Sequence, residues 1–403
     1  MKTISGGVCA PKGYKANGIH CGVRANKAKR DLALIVSSCP AAAAAVYTKN
    51  LVKSAPIHVT RENIADGKAQ AVICNSGNAN TCNADGYIAA KGMCAAAAKA
   101  VGINENDIIV ASTGVIGQPL DITPIVNGMP ELAAGLGDHS DLAELAIMTT
   151  DTKAKEIAVE FELSGVTCRM GGIAKGSGMI HPNMATMLVF ITTDAAISQP
   201  MLQSALSSIV DDTFNMVSVD GDTSTNDMCS VMANGLAGNA EVTAEGEDFE
   251  VFKSALFCVM KYLSRCIAGD GEGATKLLEC NVTGAADKAA AVTVSKAVIC
   301  SSLVKAAMFG EDANWGRILC AVGYSGAPVD VNAVDVCFNS AAGSVLVCEN
   351  GAGVPFSEEE ASKVLHESEI KINITLHDGS ASATAWGCDL TYDYVKINGD
   401  YRT

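Results

Sequence analysis

Hydrophobic and polar positions fall in short blocks along this chain, and the period changes from block to block. Residues 71–74 (AVIC) form a continuous apolar run that enters the polar turn NSGNAN at 75–80. A short apolar run bounded by turn formers reads as a strand covered on both faces. Residues 87–101 are rich in Ala with Asp85 and Gly86 ahead of them, which predicts a helix. A strand over 107–111 leads into the turn STGVIGQPL (112–120), and KEIAVEFEL and VTCRM within 155–170 alternate as strands do. The loop KGSGMIHPN (175–183) is dense in Gly, Pro and Asn and empties into a buried strand over 184–194.

The second half predicts a helix over 199–212, a polar stretch SVDGDTSTND (218–227) and an amphipathic helix over 247–268. The turn GDGEGATK (269–276) leads into a strand, LLECNVTG (277–284), and a helix over 292–308. Strands follow at 329–338, 344–348, 369–376 and 382–389, with a Ser-capped helix at 357–367 among them. The runs at 32–36 and 41–46 are core-sized. This mixture predicts α+β layers. No GxGxxG follows a first strand, so a dinucleotide-binding doubly wound sheet has no support.

Composition narrows the reading. At 403 residues the chain has material for a large core and two or three domains. Hydrophobic residues make up 49% and charged residues 18%, which excludes a disordered chain. Basic residues number 29 and acidic residues 44, a net charge of −15 that argues against nucleic acid and anionic membranes as partners. No apolar run approaches the roughly 18 residues of a membrane span. The start, MKTISGGVCAPKGY, lacks the apolar core of a secretory signal, so a cytoplasmic location is expected. The sixteen Cys include no CxxC and the six His are scattered, so no metal site is expected and the Cys read as small buried hydrophobes.

Candidate chemistry is sparse. GDGEGATK lacks the Gly-Lys-Ser/Thr ending of a phosphate loop. Cys168 and Cys229 have no His nearby in sequence, and His181 beside a proline is more often structural than reactive. The strongest feature is the junction at 184–187, where a Gly/Pro-rich loop runs into a strand at Thr186. Threonine is a weak nucleophile without a base against its hydroxyl. Its own α-amine, with a reference pKa of about 7.7–8.0, suits that task at neutral pH. The amine exists only if the chain cuts itself between Ala185 and Thr186. The ordinary reading of Thr186, a good strand former, stands beside this one.

The segment GGIAKGSGMIHPNMATML (171–188) resembles the self-cleavage segment of the ornithine acetyltransferase, or glutamate N-acetyltransferase, family of arginine biosynthesis. VKSAPIHVTREN (52–63), NSGNANTC (75–82), STGVIG (112–117), IMTTDT (147–152), GDGEGATK, ANWGRILCAVGYSG (313–326) and the terminus YVKINGDYRT (394–403) follow in the family's order. The resemblance implies a layered α+β fold of the self-processing, N-terminal-nucleophile-like type with a smaller α+β C-terminal domain. It divides the chain into fragments 1–185 and 186–403, with 186–280 completing the core and 281–403 forming the C-terminal domain. Thr186 is then the nucleophile, and Thr113 and Gly114 carry the oxyanion hole. Thr149, Lys175, Thr186, Glu272, Asn398 and Thr403 bind substrate, with a proton or charge role for Glu272. Thr149 is favoured over Thr150 by its spacing to Lys175.

The implied reaction passes acetyl from N2-acetylornithine to Thr186 and on to glutamate, without metal or organic cofactor, and with acetyl-CoA as a possible co-substrate. The fragments are expected as a heterotetramer. Gly399, where Ala is expected, and Ala313, where Pro is common, depart from the pattern and bear on local stability. The alternatives are a self-processing amidase or aminopeptidase of related fold, which releases free acetate without glutamate, and a catalytically silent scaffold.

Overall fold

The computed structural model describes residues 1–181 and 187–399. Two sheets carry the fold. In the first, the strands run in the order Lys2–Ile4, Glu156–Leu163, Val166–Lys175, Leu188–Thr193, Met228–Ala233, Leu32–Tyr47, Lys68–Asn78 and Ile108–Val115, with Tyr14–Ile19 paired to Leu32–Tyr47. In the second, the order is Ala352–Gly353, Gly343–Glu349, Asp335–Ser340, Glu369–Thr375, Leu277–Ala285, Ala381–Cys388 and Val217–Ser218. The layered α+β architecture expected from the sequence is the one observed.

The helix Glu247–Gly269 joins the two sheets. It packs on Glu156–Leu163 and Val166–Lys175 of the first and on Ala381–Cys388 and Leu277–Ala285 of the second. Its apolar face repeats at helical spacing through Phe249, Phe252, Leu256, Val259, Leu263 and Ile267, all buried. Glu247, Asp248 and Glu250 in its first turn face the positive end of the helix dipole. One core cluster therefore runs through both sheets, from Val159 and Ile191 to Val282 and Ile372.

The strands Leu188–Thr193 and Met228–Ala233 lie parallel in the middle of the first sheet and are buried at every position. Their outer neighbours, Val166–Lys175 and Leu32–Tyr47, both precede residue 186 in the chain. Two strands from the later half are thus inserted into a sheet built by the earlier half.

Two expectations are corrected. The helix expected over 292–308 is two helices, Lys288–Cys300 and Ser302–Phe309, bent by 56°. Ser301 breaks it by leaving helical geometry and accepting the Val304 N–H on its hydroxyl. The strand expected from 329 begins at Asp335, because the Asp330 carboxylate caps a short 3-10 turn, Val331–Ala333. The runs at 32–36 and 41–46 belong to one 16-residue strand, Leu32–Tyr47. Its alanines pack against the helix Gln199–Val210 on one face and Ser140–Ile147 on the other. Small side chains let both helices approach, so packing overrides alanine's helix preference.

Candidate functional site

The ends of the strands Ile108–Val115 and Val166–Lys175 border a cavity of about 320 Å³, with a narrow extension of about 30 Å³ that shares Thr113, Lys175 and Gly178 with it and reaches Leu188. Thr113, Gly114, Thr149, Lys175, Glu272 and Asn398, proposed from the sequence as site residues, all line the larger space. Thr150 lines it too, so the cavity does not separate the two threonines. Ala185, Thr186 and Thr403 lie outside the described residues. Met187, bonded to Thr186, is buried and lines the narrow extension together with Thr113 and Lys175.

Thr113 and Gly114 end the strand Ile108–Val115, where its parallel pairing with Lys68–Asn78 becomes irregular. Gly114 has φ 132°, and an added Cβ would lie 2.3 Å from the carbonyl carbon of Gly77. No other residue fits that close approach. A network of neutral groups holds the turn. Ser112 donates to Asn75 Oδ1 at 2.6 Å, and Asn75 Nδ2 donates to the Asn78 carbonyl at 3.0 Å. Asn226 Nδ2 donates to the carbonyls of Ala79 (2.6 Å) and Ser112 (2.8 Å), while its Oδ1 accepts from Thr81 and Thr225. The Thr113 hydroxyl itself makes no hydrogen bond to a described residue. It and the strand-end backbone dipoles are left to face the cavity.

The opposite wall is ionic. Asp151 accepts from the backbone N–H groups of Thr149 (2.9 Å) and Gly176 (2.6 Å) and from Lys155 Nζ at 2.8 Å. Burial opposes its ionisation, but Lys175 and Lys155 outweigh burial and hold its carboxyl below the usual aspartate range. Lys155 is fully buried and bridges to Asp270 at 2.5 Å. Burial disfavours its ammonium, yet Asp151 and Asp270 keep its pKa above the ordinary lysine value.

Lys175, the last residue of its strand, is 8% exposed. Its ammonium has no hydrogen-bond or ion-pair partner among the described residues, although an ammonium has three protons to place. That open valence points to an anionic ligand group. Glu272 is 6% exposed and accepts from Asn398 Nδ2 at 2.7 Å. The loop Lys175–Gly178 is fastened to the Glu272 loop, with Ser177 Oγ donating to the Asp270 carbonyl at 2.7 Å and the Glu272 N–H donating to the Ser177 carbonyl at 3.1 Å. A Cβ on Gly178 would fall 2.3 Å from the Glu272 carboxyl. The two Gly-rich motifs are therefore the walls of one pocket. Lys276 does not serve phosphate: its Nζ caps the Leu365 carbonyl at 2.7 Å.

Other sequence candidates fall away from this chemistry. Cys168 and Cys229 are buried, and burial pushes both thiols up, Cys168 to about 12. His181 Nδ1 sits 3.1 Å from Ser218 Oγ and 3.6 Å from Cys300 Sγ, and burial followed by Lys296 lowers its pKa. No group of three His, Cys, Asp or Glu side chains is placed to hold a metal among the described residues. Gly399 has open space around its Cα, so Ala would fit there. Sequence reasoning missed Asn226, Asp227 and Ser224. Their signal was the polar run at 218–227, which reads as surface but is buried at Thr225, Asn226 and Asp227.

Fold and pocket define a class, a layered α+β protein whose cavity lies at strand ends, where backbone dipoles meet a cation that has no partner among the described residues. The model of the ArgJ family matches residues 15–403, and the chain belongs to that family. The arginine biosynthesis bifunctional protein ArgJ of Caldanaerobacter subterraneus subsp. tengcongensis is 50% identical over 405 residues, covering all of both chains. Its counterpart in Symbiobacterium thermophilum is 51% identical over 407 residues, again covering both completely. A crystal structure of ArgJ from Bacillus halodurans superposes with a TM-score of 0.50 at 50% identity, covering 53% of this chain and 98% of that one.

Proposed function

We propose that this protein transfers an acetyl group from N2-acetylornithine to glutamate through an ester on Thr186. The observation that carries the reading is that Lys175, without a partner among the described residues, shares the cavity with the Thr113–Gly114 turn, next to the space lined by Met187. Lys175 takes the carboxylate of an amino acid, and Glu272 with Asn398 takes its ammonium or polar end. The carbonyl then lies towards Thr113 and Gly114. Thr149 and Thr403 complete the polar contacts.

The chain first cuts itself between Ala185 and Thr186, which frees the Thr186 amine. That amine accepts the Oγ proton as Oγ attacks the acetyl carbon, and the oxyanion forms against Thr113 and Gly114. The proton moves to the departing ornithine nitrogen as the C–N bond breaks. Glutamate then attacks the ester, its lost proton passes through the same amine to Oγ, and N-acetylglutamate leaves. Hydroxyl, amine and amide donors suffice for these steps.

The inserted strands support fragments that stay together. Leu188–Thr193 and Met228–Ala233 are hydrogen-bonded on both sides to strands of the 1–185 part, so separation would break two ladders and expose a buried core. A heterotetramer of the two fragments belongs to the same proposal.

Acetyl-CoA as a second donor has support at the cavity rim. Lys29 Nζ donates to the Thr149 carbonyl at 3.1 Å, and Arg24 reaches the Met148 carbonyl. The loop at 24–30 thus brings Arg24 and Lys29 to the segment that carries Thr149, in an otherwise acidic protein. Its shape is set by the buried Asp31 carboxylate, which accepts from the N–H groups of Cys21, Gly22 and Arg24. Lys27, Lys29 and Arg30 have no carboxylate partner among the described residues. A cationic rim of this kind attracts phosphate groups.

Intact mass and N-terminal sequencing, beside a Thr186→Ala control, test the reading. Two fragments, the second starting at Thr186, are expected from the native chain and a single uncut chain from the control. Incubation with N2-acetylornithine should add one acetyl group to the second fragment, and glutamate should remove it. Acetyl loss to water at the same rate with or without glutamate would make the protein an amidase. A native chain that folds but stays uncut would overturn the mechanism.

A further inference from the structure

One residue of the cavity wall holds a backbone conformation that its own side chain disfavours. Met179 lines both the main cavity and the narrow extension, and it is 43% exposed although large and apolar. Its φ is 55°, in the left-handed region that a bulky L-residue rarely enters. One carboxylate holds it there. Asp220 accepts the Met179 N–H on Oδ2 at 2.7 Å and the Ile180 N–H on Oδ1 at 2.9 Å. The Val219 N–H donates to the Ile180 carbonyl at 2.6 Å, and Ile180 bridges to Thr223. Backbone bonds to the 219–223 segment therefore set this turn, and a strained turn at a site is maintained only where its surroundings over-determine it.

The turn decides where the side chain stands. Lys175 ends its strand four positions earlier, and a Cβ on the preceding residue, Gly178, would fall 2.3 Å from the Glu272 carboxyl. Met179 thus belongs to the stretch of wall that runs from the Lys175 cation to the Glu272 carboxylate. The residues between, Gly176, Ser177 and Gly178, bring no apolar side chain to it. Across the cavity, past the Thr113–Gly114 turn, Val115 and Ile116 line the same space, and Ile116 is also largely exposed. Large apolar side chains left in water on two walls of a polar cavity are matched by a ligand that carries methylene groups between its charged ends.

Resting on the acyl-transfer reading above, we propose that Met179 sets the length of amino-acid side chain that the pocket accepts, and that Asp220 is the residue that positions it. A donor whose carboxylate meets Lys175 and whose ammonium meets Glu272 lays its methylenes across Met179. N2-acetylornithine spans that distance. N2-acetyllysine, its homologue one methylene longer, has to displace the Met179 side chain or give up an ion pair at one end. Truncating Met179 opens space for the extra methylene without touching either charged end. Loss of the Asp220 carboxylate frees the two N–H groups, lets the turn leave φ 55° and withdraws the side chain from its place.

The test is kcat/KM for acetyl transfer to glutamate from N2-acetylornithine and from N2-acetyllysine, in the cleaved native enzyme, Met179→Ala, Met179→Leu and Asp220→Asn. The native enzyme should prefer acetylornithine by about 10-fold or more, the usual worth of one methylene. Met179→Ala should bring the ratio to about threefold or less, by gaining on the longer donor, and Met179→Leu should keep the native preference. Asp220→Asn should shift the ratio in the same direction as Met179→Ala. A merely structural defect would lower both rates together, and that outcome, like an unchanged ratio or a native enzyme indifferent to length, overturns the inference. If Met179→Ala stays uncut, the ratio is taken on Met179→Gly, which suits the left-handed turn and should relax the preference as well; a native ratio there overturns the inference too. Absence of transfer from acetylornithine in the native enzyme would defeat the underlying function instead.

Discussion

The two walls of the pocket reach their order by opposite means. The wall around Thr113 and Gly114 is neutral: Asn75, Thr81, Ser112, Thr225 and Asn226 bond to one another and to backbone carbonyls. The wall around Lys175 is ionic, with Lys155 between Asp151 and Asp270. A neutral scaffold fixes dipoles without placing a permanent charge that would compete with a transient oxyanion. An ionic scaffold does the reverse. It satisfies the Asp151 and Asp270 carboxylates internally, while Lys175 has no hydrogen-bond or ion-pair partner among the described residues. In the proposed reaction the neutral wall would face the charge that develops and the ionic wall the charge that the substrate already carries.

Removing a charge from the ionic wall should have the largest effect. Asp151→Ala strands Lys155 with one carboxylate and leaves the Thr149 and Gly176 N–H groups unpaired. Breaking a buried pair from one side costs about 3–5 kcal/mol. Urea denaturation of the cleaved protein should show that loss, and the acetylornithine KM should rise because Lys175 and Thr149 lose their support. A loss under 1 kcal/mol would mean that the ionic wall is not buried in solution as it is here.

The neutral wall should respond in rate and barely in stability. The Thr113 hydroxyl has no described protein partner, so Thr113→Val removes nothing the fold uses. Stability should stay within about 1 kcal/mol, while kcat falls about 10²–10³-fold, the usual cost of one oxyanion donor. Unchanged kcat would move the oxyanion site elsewhere along the cavity.

How much of this was legible in the sequence follows from where each contact partner lies. Thr113, Gly114, Lys175 and Glu272 stand in Gly-rich motifs that read alone as plain turns, and they stand out only through the resemblance of those motifs to a known family. Asn226 and Asp227 do not, because their partners at Thr48, Ala79, Thr81 and Ser112 are remote in sequence. A polar run reads as surface until those partners are known. The same limit applies to Asp151, whose meaning comes from Lys155, Lys175 and the Gly176 amide together. In the fold, the long helix Glu247–Gly269 declared itself through its apolar period. The strand Leu32–Tyr47 did not, because its alanines follow helix propensity when read alone and become a strand only where helices on both faces demand small side chains.

The smallest expected effect lies beneath the ionic wall, and it is one of sign. Glu144 Oε1 and Glu156 Oε2 are buried without hydrogen-bond partners among the described residues, unlike the saturated Asp151. Burial first, and then the Glu156 charge, raises the Glu144 pKa to about 8. The unfolded chain releases this proton near the ordinary glutamate value of about 4.3. Between those two values the folded state holds a proton that the unfolded state has lost, so stability is full below pH 4.3 and falls as pH rises towards 8. Glu144→Gln removes that dependence. Its melting temperature should match the native value near pH 4 and exceed it at pH 8.5. The gain should be modest, about 1–2 kcal/mol, because a buried amide also leaves polar atoms unpaired. A native melting curve that instead rises between pH 5 and 8, with the Gln variant below it, would place a cation beside Glu144 and extend the paired ionic wall to this helix.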